Sequence, residues 1–442
     1  MIDILGSPWM AYAVLVIVTV AARLRCGSWF APGAFVGLVW SFFTGISLLV
    51  VDYPVPGRGL WILVLLIVAI QLGALIAHEL QPHSSASSTP ICPGSASALE
   101  SSIRPCRRYG LLCTAVALAG CVYFLFTSLD EFGLSFTPLG VLEVGARWTV
   151  LRYDDAIEPW SVRLLVTWFH PAALLGGVLF ACSRKRLDRV IGVVTLLPAV
   201  AYGVLTGARA AILLGLTCWI GGYVSTLCVR NCGRLAMFSP RRLALLLLAA
   251  ACTVGMFASI DAVRDSGLLR AFVLEVNDQK LDNYMFGSPA AFANWYAQAD
   301  VSRPEWGART FAGEFGLLHL KERVLGKHLE AVNVVGTEET NVYTVFRDPI
   351  DDFTVSGATV IAAFVGGLAG WIYRIRSNDV LGALFWLSAF YSAILVSPII
   401  SLFGMNGALL AWLVAWFVLI RPKPRPSLFS LPPHTGQEAR AL

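Results

Sequence analysis

Charged residues are scarce in this sequence. Of its 442 residues, only 14% are Asp, Glu, Lys or Arg, whereas 57% are hydrophobic and the mean hydropathy is +0.70. This composition excludes an ordinary soluble domain, in which about 25% of residues are charged. A helix of roughly 20 apolar residues crosses the hydrocarbon core of a bilayer, and the apolar runs here are too long for barrel strands. We therefore predict an all-α, polytopic membrane bundle.

Several functional motifs are also absent. The sequence has no glycine-rich nucleotide-binding loop, no basic nucleic-acid patch and no internal repeat, and its six histidines do not cluster. The segments assigned below to the outer face contain no Asp-x-Asp motif. We expect no nucleic-acid partner, no cofactor and no metal site.

Eleven apolar runs are long enough to be membrane spans. They lie near residues 8–22, 30–51, 59–77, 110–127, 161–182, 190–205, 208–228, 243–260, 356–372, 380–400 and 403–420. The long polar interval 261–355 separates the eighth and ninth spans. An interval of this length should carry its own helices and pack over the bundle as a lid. Within it, residues 317–330 have the mixed pattern of an amphipathic interfacial helix.

The basic residues orient the bundle. Most Lys and Arg residues fall on one set of alternate connections, which marks the cytoplasmic side, and most acidic residues fall on the other. The N-terminus is then periplasmic and the C-terminus cytoplasmic. All ten cysteines lie in spans or on the inner side, as expected for an oxidising outer compartment. We predict one polytopic domain, residues 1–421, with a flexible cytoplasmic loop at 81–109 and a disordered tail at 422–442.

Arg209 is the first candidate functional residue, because it opens the seventh span directly after the sixth ends. An arginine at this depth is costly unless it is paired or faces a wet cavity, so it indicates a functional site. The alternative is that Arg209 snorkels to the outer headgroups.

The first outer connection, residues 128–160, contains Arg147, Arg152 and Tyr153. The planar guanidinium of arginine suits phosphate and pyrophosphate, and aromatic rings stack on sugar faces. Ion pairing with nearby acidic residues such as Glu143 is the alternative. Arg264 is a similar case, either an anion ligand or a partner of neighbouring aspartates.

The long interval contains two further candidate regions. Trp295 belongs to residues 287–296, which combine aromatic and small residues and could line a sugar groove or simply pack on the bundle. Residues 338–353 close the interval with polar side chains next to a span: Asn341, Tyr343, Thr344, Arg347, Asp351 and Asp352. Asn and Asp can hold sugar hydroxyls, Arg347 can neutralise phosphate, and an aspartate can act as general base. The alternative is a solvated turn followed by a capped helix.

Three segments resemble a known family. They are Thr206-Gly207-Ala208-Arg209-Ala210-Ala211, Ser288-Pro289-Ala290-Ala291-Phe292, and Thr340-Asn341-Val342-Tyr343-Thr344 followed by Asp352-Phe353 and Gly357. They are similar to the O-antigen polymerases, the oligosaccharide repeat-unit polymerases of bacteria. The resemblance covers residues 147–372 and implies about a dozen spans, one large periplasmic loop and a fold like the membrane-embedded GT-C glycosyltransferases. Thr354 departs from the family pattern, which has glycine after the Asp-Phe pair, and this puts a tight turn there in doubt.

The resemblance implies glycosyl transfer at the periplasmic face of the inner membrane. A glycan on undecaprenyl pyrophosphate would move onto the non-reducing end of a lipid-linked repeat unit and release undecaprenyl pyrophosphate. A chain-length regulator and a flippase are the implied partners. The residues that would bind pyrophosphate are Arg147, Arg152, Arg209, Arg264 and Arg347; Arg209 would also act in catalysis. Asp352 or Asp351 would be the base, with Glu314 and His319 behind them, and Tyr153, Trp295, Asn341, Tyr343 and Thr344 would bind sugars.

Two alternatives remain. An O-antigen ligase shares this architecture but transfers glycan to the lipid A core. A transporter or flippase for lipid-linked sugars would carry repeats and polar residues at mid-membrane on several helices. The predicted spans are nearly free of charge, which favours chemistry at the outer surface.

Overall fold

The chain folds into a helical membrane bundle. The structure is a computed structural model that describes residues 6–51, 54–80, 93–153, 158–230, 286–299, 304–320, 332–335, 338–340, 343–376 and 379–420. The helices are α1 (Pro8–Cys26), α2 (Pro32–Val50), α3 (Gly57–Leu80), α4 (Pro93–Glu131), α5 (Pro138–Tyr153), α6 (Trp160–Val166), α7 (Phe169–Cys182), α8 (Arg186–Val194), α9 (Leu197–Thr206), α10 (Arg209–Arg230), α11 (Ser288–Gln298), α12 (Ala312–Leu317), α13 (Arg347–Ile375), α14 (Val380–Val396) and α15 (Asn406–Ile420). Strands β1 (Val332–Val335) and β2 (Glu338–Thr340) form an antiparallel pair.

Eight helical segments in the described part of the chain are long and apolar enough to cross a membrane. Two of them are helix pairs with a short break, α6–α7 and α8–α9, and the shorter helices α14 and α15 are also apolar. Each of the ten predicted spans that falls on described residues coincides with one of these segments. The predicted span at 243–260 lies outside the described residues.

Small residues bring the helices together. Helix α3 packs along α13, where a methyl group on Gly366 would collide with the carbonyl oxygen of Ile70. Helix α10 packs on α14, and the hydroxyl oxygens of Ser225 and Ser388 lie 2.6 Å apart between them. Close backbone approach and hydrogen bonds between small hydroxyl side chains are the usual means of helix association in lipid, where apolar burial gives little advantage.

Several predicted boundaries were wrong. Residues 93–109 of the predicted flexible loop belong to α4, while 81–92 and the predicted tail at 422–442 lie outside the described residues. The ninth span begins at Arg347 rather than near residue 356, so Asp351 and Asp352 lie within its first turns. Helix α14 ends at Val396 and α15 starts at Asn406, which leaves a longer non-helical connection than expected.

The polar interval carries its own helices, as predicted. Helix α11 packs against α2 and α3, and residues Ala290 to Ala293 are almost fully buried there. The Ser288 hydroxyl donates to the Pro398 carbonyl, and the Val345 N–H donates to the Ser397 carbonyl at 2.8 Å. These bonds join the start of α11 and the segment before α13 to the connection between α14 and α15. Of the predicted interfacial helix at 317–330, only the start is described: Leu317 ends α12, and residues 321–331 lie outside the described residues.

Candidate functional site

Arg347 lies buried between two aromatic rings. Only 3% of it is exposed, and the guanidinium carbon is 4.1 Å from the ring centroid of Tyr343 and 4.8 Å from that of Trp295. Its Nε atom is 3.7 Å from a carboxylate oxygen of Asp351, one turn along α13. A cation stacked on desolvated rings contributes roughly 2 kcal/mol or more. Arg347 therefore joins α11, the segment after β2 and the start of α13.

Asp352 holds a distant turn of the polar interval. Its carboxylate is fully buried and accepts hydrogen bonds from the backbone N–H of Thr310 at 2.6 Å and of Arg309 at 3.1 Å. The backbone carbonyls of Asp351 and Asp352 accept from the N–H groups of Glu305 and Trp306, both at 3.1 Å. The first turns of α13 thus hold residues 305–310 in place through hydrogen bonds. Because both carboxylate oxygens already accept hydrogen bonds, Asp352 is better placed to position this turn than to remove a proton.

Arg309 links the turn to Asp351. Its guanidinium lies 2.9 Å from a Glu305 carboxylate oxygen and 3.6 Å from an Asp351 oxygen, and 40% of its side chain is exposed. Burial acts to lower the pKa of Arg309, but the hydrogen bond that Arg309 donates to the Glu305 carboxylate and the charge of Asp351 outweigh it and raise that pKa. Asp351 thus lies between two arginines, Arg309 and Arg347.

Arginines and carboxylates lie next to one another where residues 305–309 contact the start of α13. Two arginines, Arg309 and Arg347, face the carboxylates of Glu305, Asp351 and Asp352, and Asp348 also acts on Arg309. Among the described residues, each of these two arginines therefore has carboxylate groups as neighbours. Arg347 thus contacts Asp351 and the rings of Trp295 and Tyr343, and its predicted role as a pyrophosphate ligand stays a prediction.

Backbone strain is concentrated in the same region. Within the described chain, the non-glycine residues with positive φ are Trp306 (53°), His319 (54°) and Thr354 (61°). Thr354 also has ψ 175°, a combination that is essentially restricted to glycine, and it kinks α13 after its first two turns. The chain therefore bends at Thr354 although this residue is not glycine. Such strain costs about 1–3 kcal/mol and clusters at functional sites.

Arg209 is positioned by the turn between α9 and α10. Gly207 has φ 61°, in the left-handed region that ends α9, and Arg209 begins α10 two residues later with 9% of it exposed. Helix α5 packs over this turn, since a side chain on Gly207 would collide with the Thr149 hydroxyl. Arg209 is thus buried at a helix N-terminus, where the helix dipole favours an anion. It does not snorkel as an exposed side chain.

Arg147 forms an ion pair with Glu143, which the sequence analysis gave as the alternative to phosphate binding. Its guanidinium is 2.7 Å from Glu143 one helical turn away, donates to the Phe132 carbonyl at 3.2 Å and lies 5.4 Å from the Phe132 ring. The structure therefore engages Arg147 within its own outer segment. Arg152 and Tyr153 end the same helix, α5.

The predicted sugar ligands are largely buried. Tyr343 and Thr344 are each 3% exposed and Trp295 is 6% exposed, and Arg347 covers both rings. Their ring faces are therefore occupied by a protein cation in this structure. Asn341 and Arg264 lie outside the described residues. No group of three His, Cys, Asp or Glu residues in the described ranges is arranged to hold a metal.

Sequence reasoning missed Glu305 and Arg309. Their i,i+4 spacing in an otherwise mixed segment was a signal for local pairing. Their contact with Asp351 depends on a chain reversal that spacing does not reveal.

Comparisons with known proteins add no relative. The chain matches no protein-family profile, no curated protein and no solved structure.

Proposed function

We propose that this protein is a glycosyltransferase that polymerises oligosaccharide repeat units linked to undecaprenyl pyrophosphate. The product is a surface polysaccharide of the O-antigen type, and the reaction takes place on the periplasmic face of the bacterial inner membrane. The proposal includes eleven spans, a periplasmic N-terminus, a cytoplasmic C-terminus and a bundle like the GT-C glycosyltransferases. It also includes a chain-length regulator and a flippase as partners.

The observation that carries this proposal is the position of Arg209. A nine-tenths buried arginine at the N-terminus of α10, held by the left-handed turn at Gly207, combines a guanidinium with the positive end of a helix. Both would stabilise the negative charge that develops on a departing pyrophosphate. In contrast, the cluster around Arg347 would shape the outer face on which the glycans lie.

The proposed reaction needs no large movement of substrate across the membrane. In the sequence, many of the polar side chains fall in the interval 261–355, which the charge distribution predicts to be periplasmic. A transporter would instead need polar groups at mid-membrane on several helices. The ligase reaction uses the same donor and differs only in its acceptor.

The test is incubation of the purified protein with a lipid-linked repeat unit from its own host, followed by gel separation of the glycans. The proposal expects a ladder of increasing length. Transfer that occurs only when lipid A core is supplied would replace the polymerase with a ligase. Passage of substrate across proteoliposomes without new linkages would replace it with a transporter.

The matched variants are Arg209→Ala and Arg184→Ala. Removing one group that stabilises developing charge lowers the rate by about 10²–10³-fold, so Arg209→Ala should abolish long chains while the protein stays in the membrane. Arg184 is exposed between α7 and α8 and lies at the opposite end of the bundle. Its replacement should leave the ladder unchanged. A normal ladder from Arg209→Ala would contradict the role of Arg209.

A further inference from the structure

Four buried polar atoms line a seam at the outer end of the bundle. In the part of the chain that the structure describes, no hydrogen-bond partner reaches His170 Nε2, Asn406 Oδ1, Thr310 Oγ1 or Glu314 Oε2. A methyl group on Gly407 would meet the His170 ring, and one on Gly313 would meet Asn406 Oδ1. The polar interval packs against the start of α15, and the start of α15 packs against the start of α7.

His170 lies at the inner end of this seam. It is 7% exposed, and its ring is stacked on Phe169 with 3.9 Å between centroids. Its Nδ1 atom is 3.1 Å from the Thr167 carbonyl oxygen, which can only accept a hydrogen bond. Nδ1 therefore carries the proton, and Nε2 presents a lone pair to the seam. In this tautomer, Nε2 can accept a hydrogen bond from a hydroxyl group.

The backbone around the seam supports the entry of water. Residues 397–405 are not helical, although they connect two apolar helices. Non-helical backbone at membrane depth occurs where it is buried in protein or lines a wet cavity. Buried polar atoms are normally satisfied by protein or by water, and four such atoms in sequence offer the two to four partners that a water or a sugar hydroxyl needs.

We propose that this seam admits the acceptor sugar hydroxyl and that His170 is its general base. This inference rests on the proposed function. The acceptor oxygen forms a bond to the anomeric carbon of the donor, while the bond from that carbon to the pyrophosphate oxygen breaks. The electron pair of the broken bond leaves with the pyrophosphate. The hydroxyl proton passes to His170 Nε2, which later releases it to water.

The two aspartates favoured by the sequence are less suited to this task. Both oxygens of Asp352 accept backbone hydrogen bonds, and Asp351 lies between the guanidiniums of Arg309 and Arg347. His170, by contrast, offers an acceptor atom without a protein partner among the described residues. Asn406, Thr310 and Glu314 would hold the hydroxyl and its bridging waters.

The first test concerns the seam and does not depend on any activity. Asn406→Cys and Ala411→Cys both lie on α15, but Ala411 is fully buried in an apolar environment. Each variant is treated in sealed, outside-out vesicles with a small charged methanethiosulfonate reagent, and the unsubstituted protein supplies the background. We expect Asn406→Cys to react at least about tenfold faster, because thiol reactivity requires access to water. Equal rates would overturn the hydrated seam.

The second test concerns His170. Asn at this position can keep the Nδ1-like donor to Thr167, and Gln can place an amide near Nε2, yet neither can accept the proton. Both variants should lose about 10²–10⁴-fold in transfer rate, as expected for loss of a general base, while eluting as the parent does on gel filtration. His78→Gln, at the far end of α3, is the control. Transfer within about tenfold of the parent by either His170 variant would overturn the assignment, because it would fall short of the loss expected for a general base.

The two tests separate the inference from the proposed function. If the parent forms a ladder and the His170 variants form it equally, His170 is not the base and the polymerase remains. If the parent transfers no glycan at all, the proposed function fails and His170 loses its proposed role with it. The labelling result still decides whether the seam is wet.

Discussion

The Asp352 carboxylate accepts a 2.6 Å hydrogen bond from the backbone N–H of Thr310, 42 residues earlier in the chain. The same carboxylate also accepts from the N–H of Arg309. A charged acceptor can satisfy two buried backbone donors that water cannot reach. This relationship fixes the turn of the polar interval to the first turns of α13.

Removing the Asp352 carboxylate should release that turn. Asp352→Ala leaves two buried N–H groups without an acceptor, and Asp352→Asn directs an amide toward them, so each should lower the free energy of unfolding by about 2–3 kcal/mol. The measurement is thermal unfolding together with limited trypsin cleavage after Arg309. Asp379→Ala, which removes only the N-cap bond to Gly382, is the control and should cost about 1 kcal/mol. Unchanged cleavage after Arg309 would contradict the conclusion that Asp352 holds this turn in place.

Replacing Arg347 by lysine should destabilise the packing of α11 on the start of α13 although the charge is kept. The lysine ammonium lacks the planar group that stacks between Trp295 and Tyr343, and we expect a loss of about 1–2 kcal/mol. Thermal unfolding of Arg347→Lys is compared with that of Arg147→Lys, whose half-exposed pair with Glu143 should contribute less than about 1 kcal/mol. Equal effects of the two substitutions would show that the contacts of Arg347 with the two rings do not stabilise the protein.

Glycine should be favoured at position 354. Thr354 adopts a backbone conformation that is strained for a β-branched residue, so Thr354→Gly should raise the free energy of unfolding by about 1 kcal/mol. Thr359 lies in the regular part of the same helix and donates to the Val355 carbonyl at 2.7 Å. There, glycine should lower the stability by about 1 kcal/mol. The prediction fails if both substitutions destabilise the protein.

The contact of α3 with α13 should distinguish two adjacent glycines. Gly366→Ala places a methyl group against the Ile70 carbonyl oxygen, whereas the nearest atom to a methyl group on Gly367 is 3.7 Å away. We expect Gly366→Ala to cost about 1–3 kcal/mol through overpacking, and Gly367→Ala to be near neutral. Thermal unfolding in detergent measures both. A neutral Gly366→Ala would show that the two helices can separate without cost.

The sequence by itself determined the membrane class and most of the helices. Apolar length is a local property, because every backbone group in lipid must be satisfied within its own helix. The ten predicted spans on described residues therefore coincide with helices. The start of α13 was harder to predict, since the polar run from Arg347 to Asp352 hides a helix whose polar side chains are satisfied by other segments.

In the candidate site, too, the sequence predicted local features better than contacts between distant segments. The sequence identified Arg209, Arg347, Asp351 and Asp352 by residue type and by their position next to spans. It left Arg147 open between a ligand and an ion pair, and its partners in the structure are Glu143 and Phe132. Arg309 was overlooked, because its contact with Asp351 links residues that are far apart in the chain.

Only the tertiary structure decided which polar groups are already engaged. Hydrogen bonding and stacking depend on where separate segments meet, so residue type did not reveal that Asp352 supports a turn or that Arg347 is enclosed by two rings. Nor did it reveal that His170 packs beside Gly407 at the start of α15, or that Asn406 packs beside Gly313. Local hydrophobicity determines which segments enter the membrane, whereas long-range contacts determine which of their few polar atoms are engaged.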